Sequence, residues 1–172
     1  LETGIILIKK EKEDLVQTLS HAVAQIVPLA AKKQIEISVD AEGKFPICHD
    51  RKWTEEAIFN LLDNAVKYTE AGGKIHIEIK PQEIFTRLSI QDTGKGIATE
   101  RQAQIFTRFY REPEVHEQEG IGIGLYLARQ IMELQNGYIE VRSEVGRGAE
   151  FRLYFPNEGQ KGQKKDRKNH KS

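Results

Sequence analysis

The sequence predicts an α+β protein, a two-layer α/β sandwich with three main helices on one face of a mixed, mostly antiparallel sheet. Three observations carry this expectation. Apolar residues recur at helical spacing in three separated stretches, 13–34, 51–69 and 121–136. Between them, short stretches such as "IEISVD", "KIHIEIK" and "YIEVRSEV" alternate apolar and polar residues with the two-residue period of a strand. The order is helix, strands, helix, hairpin, helix, hairpin, which suits helices layered on one side of a sheet.

Size and composition bound the rest. At 172 residues the chain is long enough for one domain with a real core. Its 38% hydrophobic and 30% charged residues are those of an ordinary globular chain. The 26 basic and 26 acidic side chains cancel, so no overall field draws nucleic acid or a membrane surface. No nucleic-acid partner and no direct membrane contact are expected. No apolar run approaches the length of a membrane span, and no secretory signal is recognisable. The one cysteine, Cys48, excludes an internal disulfide framework and fits a reducing, cytoplasmic setting. Cys48 beside His49 is not zinc-ligand spacing and reads as a core thiol next to a loop histidine.

Residues 1–10 contain "GIILI" (4–8), expected as a short opening strand at a junction. In the first helix, Leu15, Leu19, Val23, Ile26, Val27 and Ala30 form the apolar side, and Pro28 should kink it or mark a weak turn. "IEISVD" (35–40) reads as a strand with which "FPIC" (45–48) could pair. Asp50 is placed to cap the helix 51–69, whose apolar stripe is Trp53, Ala57, Ile58, Leu61, Leu62 and Ala65. Strands 74–80 and 83–91 form an antiparallel hairpin. A glycine loop (92–97), a short helical piece (99–106) and a polar stretch (111–120) follow. The last helix ends at Gly137 as its C-cap, before two closing strands. Residues 158–172 are basic and aperiodic, expected as a disordered tail to the domain 11–157.

Three stretches carry chemistry. On the middle helix Asn60 and Asn64 are four apart, with Lys67 and Tyr68 a turn later, sharing a face distinct from Leu61 and Leu62. Asparagine is a mediocre helix former, so the pair reads either as surface polarity or as amide oxygens for Mg2+, with Lys67 for phosphate. "QDTGKGI" (91–97) follows a strand. Asp92 could accept from a ligand amine while Gly94 and Gly96 fold the backbone beneath it, or the same residues form a local Asx turn. "EGIGIGLYLARQI" (119–131) sets three glycines before a helix, either as a loose loop or as backbone that approaches an anion at a helix N-terminus. Phe106, Phe109 and Tyr110 would anchor the polar stretch before it, giving a hinged lid.

In this order the stretches resemble the ATP-binding catalytic domain of bacterial two-component sensor histidine kinases, in the superfamily shared with gyrase, a heat-shock chaperone and mismatch-repair ATPases. "NLLDNAVKYT" (60–69) is similar to the family's N box, "DTGKGI" (92–97) to its first glycine box, "IFTRFYR" (105–111) to its F box and "GIGIGL" (120–125) to its second glycine box. The resemblance spans roughly residues 4 to 156 and implies the Bergerat-type ATP-binding fold with ATP and Mg2+ as cofactors. It implies Asn64 as Mg2+ ligand with Asn60 beside it, Lys67 on phosphate, Tyr68 at the base, and Asp92 accepting from the adenine amino group. Gly94, Gly96 and Ile97 would shape the floor, and Arg111 would reach the terminal phosphate. Gly120, Ile121, Gly122, Ile123, Gly124 and Leu125 would cradle the phosphates.

The implied activity is transfer of the γ-phosphoryl group to a histidine on a separate dimerisation domain, with a response regulator as the next partner. The family's acceptor motif is absent: His21 is followed by Ala-Val-Ala-Gln, and His49, His76, His116 and His170 have no such context either. "LETG" resembles the joint where the dimerisation helices end, so the chain reads as a catalytic half. Ala149 stands where the family often has Thr or Ser. An ATP-hydrolysing relative would be expected to carry Glu four residues before the metal asparagine, where this chain has Asn60. A dinucleotide-binding module would need G-x-G-x-x-G after an apolar strand, and this chain has G-x-G-x-G after a polar loop. A non-catalytic nucleotide sensor remains the other reading.

Overall fold

A computed structural model describes residues 5–107 and 123–157. Its elements are β1 (Glu11–Asp14), α1 (Leu15–Lys32), β2 (Glu36–Asp40), β3 (Pro46–His49), α2 (Arg51–Tyr68), β4 (Lys74–Pro81), β5 (Phe85–Asp92), α3 (Thr99–Gln102), α4 (Gly124–Leu134), β6 (Tyr138–Ser143) and β7 (Ala149–Pro156). Five strands form one sheet in the order β2-β4-β5-β7-β6. The β2–β4 pair is parallel and the other three are antiparallel, so the sheet is mixed and mostly antiparallel as expected.

Strand periodicity and helical stripes meet in one core. Ile75 and Ile77 of β4, Leu88 and Ile90 of β5, and Phe151, Leu153 and Phe155 of β7 are buried on one sheet face. They pack against Leu15, Leu19 and Ile26 of α1, Ile58, Leu61 and Leu62 of α2, and Ile131 and Met132 of α4. Each such side chain contributes about 1.5–3 kcal/mol on burial. α2 packs against both α1 and α4. None of the described helices is long and apolar enough to cross a membrane.

Several local expectations are corrected. Residues 5–8 form no strand; Ile5 and Leu7 are 84% and 77% exposed. The first strand is instead the charged Glu11–Asp14, drawn into place by antiparallel pairing with β3, so tertiary pairing overrides propensity. Consequently "FPIC" does not join "IEISVD"; β1 and β3 make a separate two-stranded sheet. α1 continues through the exposed Pro28, and Val27 is turned outward while Thr18 and Ala22 complete the buried side. The short helical piece is a single turn, α3, followed by turns to residue 106. α4 begins at Gly124 and ends sooner than expected.

Helix ends follow their capping chemistry. Asp50 Oδ1 accepts from the Trp53 N–H, capping α2 as anticipated. At the end of α4 the left-handed residue is Asn136 (φ 64°), not Gly137. Asn136 N–H donates to Glu133 O and Gly137 N–H to Met132 O, the paired bonds of a Schellman motif. Gly137 is glycine for another reason: a β-carbon there would collide with the Tyr154 carbonyl. The Cys48–His49 expectation is reversed. Cys48 is half-buried, while His49 is fully buried in β3 with Nδ1 on Ile47 O at 2.9 Å and Nε2 on Thr18 Oγ1 at 2.7 Å.

Candidate nucleotide site

α2 carries four of the expected site residues, Asn60, Asn64, Lys67 and Tyr68. Its buried stripe of Ala57, Ile58, Leu61, Leu62, Ala65 and Val66 leaves Asn60, Asp63, Asn64, Lys67 and Tyr68 half-exposed along an adjacent edge. Lys67 Nζ lies 3.0 Å from Asp63 Oδ2, a one-turn pair that holds the ammonium along this edge. Asn60 stands out: its Nδ2 is buried and has no hydrogen-bond partner among the described residues. An unmet buried amide donor costs about 1–3 kcal/mol, so the position is expensive unless something else accepts from it. Glu56, a turn earlier, is exposed.

α4 approaches Asn60 end-on. A β-carbon on Gly124 would sit 3.6 Å from Asn60 Cγ, so the start of α4 lies close against the amide. Ile123 occupies the N-cap of α4 and, being apolar, offers no side-chain acceptor to the first-turn N–H groups, and among the described residues no side-chain cap is present. The orphan amide and the uncapped helix end lie together. That combination of donors and a positive dipole end is suited to an anion. Leu125 and Ile97 pack partly buried against the core on either side.

The glycine loop makes the floor. Asp92, at the end of β5, is 4% exposed. Its Oδ1 accepts from the Gly94 N–H at 2.8 Å and the Ala149 N–H at 3.2 Å. Burial pushes its carboxyl above the ordinary range, and these two N–H bonds pull part of the way back. A side chain on Gly94 would collide with the Tyr68 carbonyl, so the loop closes directly on the C-terminal turn of α2. Gly96 has φ 77°, and a β-carbon there would meet the Glu144 carbonyl. Lys95 Nζ lies 5.3 Å from the Tyr68 ring centroid.

Of the expected residues, the structure brings Gly124 against Asn60 and Gly94 against Tyr68 and Asp92, while Asn64 and Lys67 lie on the same edge of α2 as Asn60, and Gly96, Ile97, Ile123 and Leu125 flank these contacts in the β5 loop and at the start of α4. Arg111, Gly120, Ile121 and Gly122, with Phe109 and Tyr110 of the lid anchor, lie outside the described residues. Phe106 is buried, edge-on to Phe151 with centroids 6.1 Å apart.

Sequence reasoning missed the residues that hold the floor. Ser143 and Gln102 bind the loop backbone, and at position 149 it is the backbone N–H, not a side chain, that meets Asp92. The available signal was the spacing Ser143-x-x-Gly146-x-Gly148, whose glycines both take positive φ.

The sequence and the fold match a known family of ATPases. The model for histidine kinase-, DNA gyrase B-, and HSP90-like ATPase matches residues 49–159, and the chain belongs to that family. Its curated relatives are sensor kinases, among them the alginate biosynthesis sensor protein KinB of Pseudomonas aeruginosa. That protein is 31% identical over 156 residues, which are 90% of this chain and 26% of KinB. Among solved structures, full-length ShkA in complex with AMPPNP has a TM-score of 0.78 at 28% identity, over 90% of this chain and 32% of that one. The mycobacterial sensor histidine kinase MprB, at 22% identity, shares the fold with a TM-score of 0.77 over 86% of this chain and 97% of its own. The fold is thus that of the histidine kinase catalytic ATPase domain. The chain spans well under half the length of the curated relatives it matches.

Proposed function

We propose that this chain binds MgATP in the crevice between α2, the 92–97 loop and the N-terminus of α4, and passes the γ-phosphoryl group to a histidine on a separate dimerisation domain of its parent kinase. The observation that carries this reading is the buried, partnerless Asn60 amide facing the uncapped end of α4. A buried amide donor beside a helix N-terminus that has no side-chain cap among the described residues suits an anionic ligand, and a polyphosphate meets both.

Each residue then has a task. Asp92 accepts from the 6-amino group of the purine, its carboxylate held in place by two backbone N–H groups. Tyr68 lines the base, with Gly94, Gly96 and Ile97 as the floor. Lys67 neutralises phosphate charge, and the Ile123, Gly124 and Leu125 backbone donates to phosphate oxygens. Arg111, Gly120, Ile121 and Gly122 are assigned to the terminal phosphates on the family resemblance alone. Asn64, with Asn60 beside it, fits Mg2+: hard amide oxygens on one helix edge suit an ion that takes few protein ligands and keeps substrate and water oxygens. When bound, the ion would offset the charge of the phosphates.

Phosphoryl transfer of this kind rests on positioning and charge neutralisation. The acceptor imidazole is already a nucleophile, so the crevice needs no strong base. Glu56 is exposed and Asn60 stands where a water-activating glutamate would be, which favours transfer over hydrolysis. A response regulator would take the phosphoryl group next, and the setting would be cytoplasmic.

Calorimetry with ATP, with and without Mg2+, tests binding; a nucleotide-free relic gives no magnesium-dependent heat. Labelled ATP tests the chemistry. The chain alone should stay unlabelled, while an added dimerisation domain of the parent kinase should become labelled. A dimerisation domain that never takes label overturns the transfer.

A further inference from the structure

One hydroxyl ties together the two backbone segments that hold Asp92. Ser143, the last residue of β6, accepts at Oγ from the Ile97 N–H at 2.7 Å. The same Oγ donates to the Gly148 carbonyl at 2.7 Å. That carbonyl belongs to the peptide unit whose N–H, on Ala149, donates to Asp92 Oδ1. The plane of one peptide is therefore gripped from both ends, by Ser143 on its oxygen and by Asp92 on its nitrogen.

The gripped peptide leaves no room for a side chain at its first residue. Gly148 has φ 85°, and a β-carbon on it would collide with the Asp92 carbonyl. Gln102 Nε2 backs the bridge by donating to Ile97 O at 3.0 Å and Ser143 O at 2.9 Å. A carbonyl that accepts a hydrogen bond polarises its own peptide and makes its N–H a better donor. Ser143 thus orients the Asp92 carboxylate and strengthens the bond that fixes it.

We propose that Ser143 is a positioning residue for base selection, acting through the 148–149 peptide to aim Asp92 at a 6-aminopurine in preference to a 6-oxopurine. The inference rests on the reading of Asp92 as acceptor for the base. A carboxylate that can swing accommodates either purine poorly. A carboxylate fixed by the Ser143 bridge rewards an amino group and penalises a carbonyl oxygen, whose lone pairs it would face.

Calorimetry with Mg-ADP and Mg-IDP separates the possibilities. The wild type should favour ADP by about tenfold or more, the scale of one hydrogen bond to a charged group. Ser143→Ala should weaken ADP by about fivefold to tenfold while leaving IDP within about twofold, since the phosphate contacts are untouched. Ser143→Thr, which keeps the hydroxyl, should restore the preference. If the alanine variant fails to fold, Ser143→Cys keeps the volume with a poor donor and should lose selectivity alike. In an Asp92→Asn background, Ser143→Ala should change neither affinity further. Equal weakening of both nucleotides, or an unchanged ADP preference, overturns the proposal and leaves the binding site standing. A wild type that binds neither nucleotide sinks the reading of the crevice itself.

Discussion

Gly124 opens α4 directly opposite Asn60, close enough that a β-carbon on the glycine would touch the amide at 3.6 Å, an ordinary van der Waals contact. Gly124→Ala therefore has room. It should stabilise the fold by up to about 1 kcal/mol, because alanine loses less freedom than glycine in a helix. ADP affinity should fall by less than about threefold, since the first-turn N–H groups stay open. Gly124→Val is different. Its branched side chain presses on Asn60 and fills the crevice, and nucleotide binding should drop by more than about tenfold while circular dichroism stays native. Calorimetry and thermal melts on both variants check this pair. Strong loss with alanine would mean that the helix end needs glycine for more than space.

Asn64→Ala probes the metal end. Asn64 is half-exposed, so truncating it leaves no buried cavity and the melt should move little. If its oxygen ligates Mg2+, the gain in ATP affinity on adding Mg2+ should shrink by about tenfold or more, as for loss of a metal-oriented contact. Affinity measured in EDTA should match the wild type. A magnesium effect that survives intact would place the ion elsewhere.

Asp92 carries a cost that the proposed base contact would explain. Burial raises its carboxyl pKa, with the Gly94 and Ala149 N–H bonds opposing. The folded state thus prefers the protonated acid, so stability is fully present below the ordinary carboxylate pKa. It is lost as pH rises from there through the raised value, and at neutral pH the buried charge is a net burden. Asp92→Asn keeps an oxygen for both N–H donors and sheds the charge, so its melting temperature at pH 7 should equal or exceed that of the wild type. Its ADP affinity should fall by about tenfold or more, because an acceptor to the base amine is replaced by a donor. Wild-type affinity should weaken as pH falls into the range where Asp92 protonates, and the Asn variant should show no such slope.

The layer architecture was legible because it depends on periodicity. The alternation in 74–80 and 83–91 and the stripe from Ala57 to Ala65 report directly on which face is buried. Hairpin partners were legible, as β4 with β5 shows, but the partners of β1 and β3 were not. β1 is four charged or acidic residues with no strand propensity, and only its register with β3, Glu11 opposite His49, makes it a strand. Helix ends were half legible: Asp50 declared itself, but the left-handed turn after α4 fell on Asn136 because Gly137 was already required under the Tyr154 carbonyl. In the site, side chains that would face a ligand were visible as oddities, the asparagines above all. The groups that hold them were not. A serine in a strand and a backbone N–H at position 149 look like any others until the chain is folded.

His49 is a buried ring on which the acid stability of this domain should depend. Nδ1 faces the Ile47 carbonyl, so Nδ1 must carry the proton and donate, and Nε2 accepts from the Thr18 hydroxyl. Burial lowers the pKa of the ring, outweighing the Ile47 carbonyl and the nearby Glu13, Asp50 and Asp14 carboxylates that raise it. The unfolded chain takes up a proton near the ordinary histidine pKa of about 6.5, while the folded chain resists until lower pH. The stabilisation is complete above that ordinary value and lost as pH falls from it toward the lowered one. The urea midpoint should therefore decline between about pH 7 and pH 5. His49→Gln removes the titration and should flatten this decline. At pH 7 it should cost about 1–3 kcal/mol, because the Thr18 hydroxyl and the Ile47 carbonyl are left poorly matched in the core. A midpoint that falls as steeply in the Gln variant as in the wild type would shift the source of acid sensitivity to the carboxylates around β1.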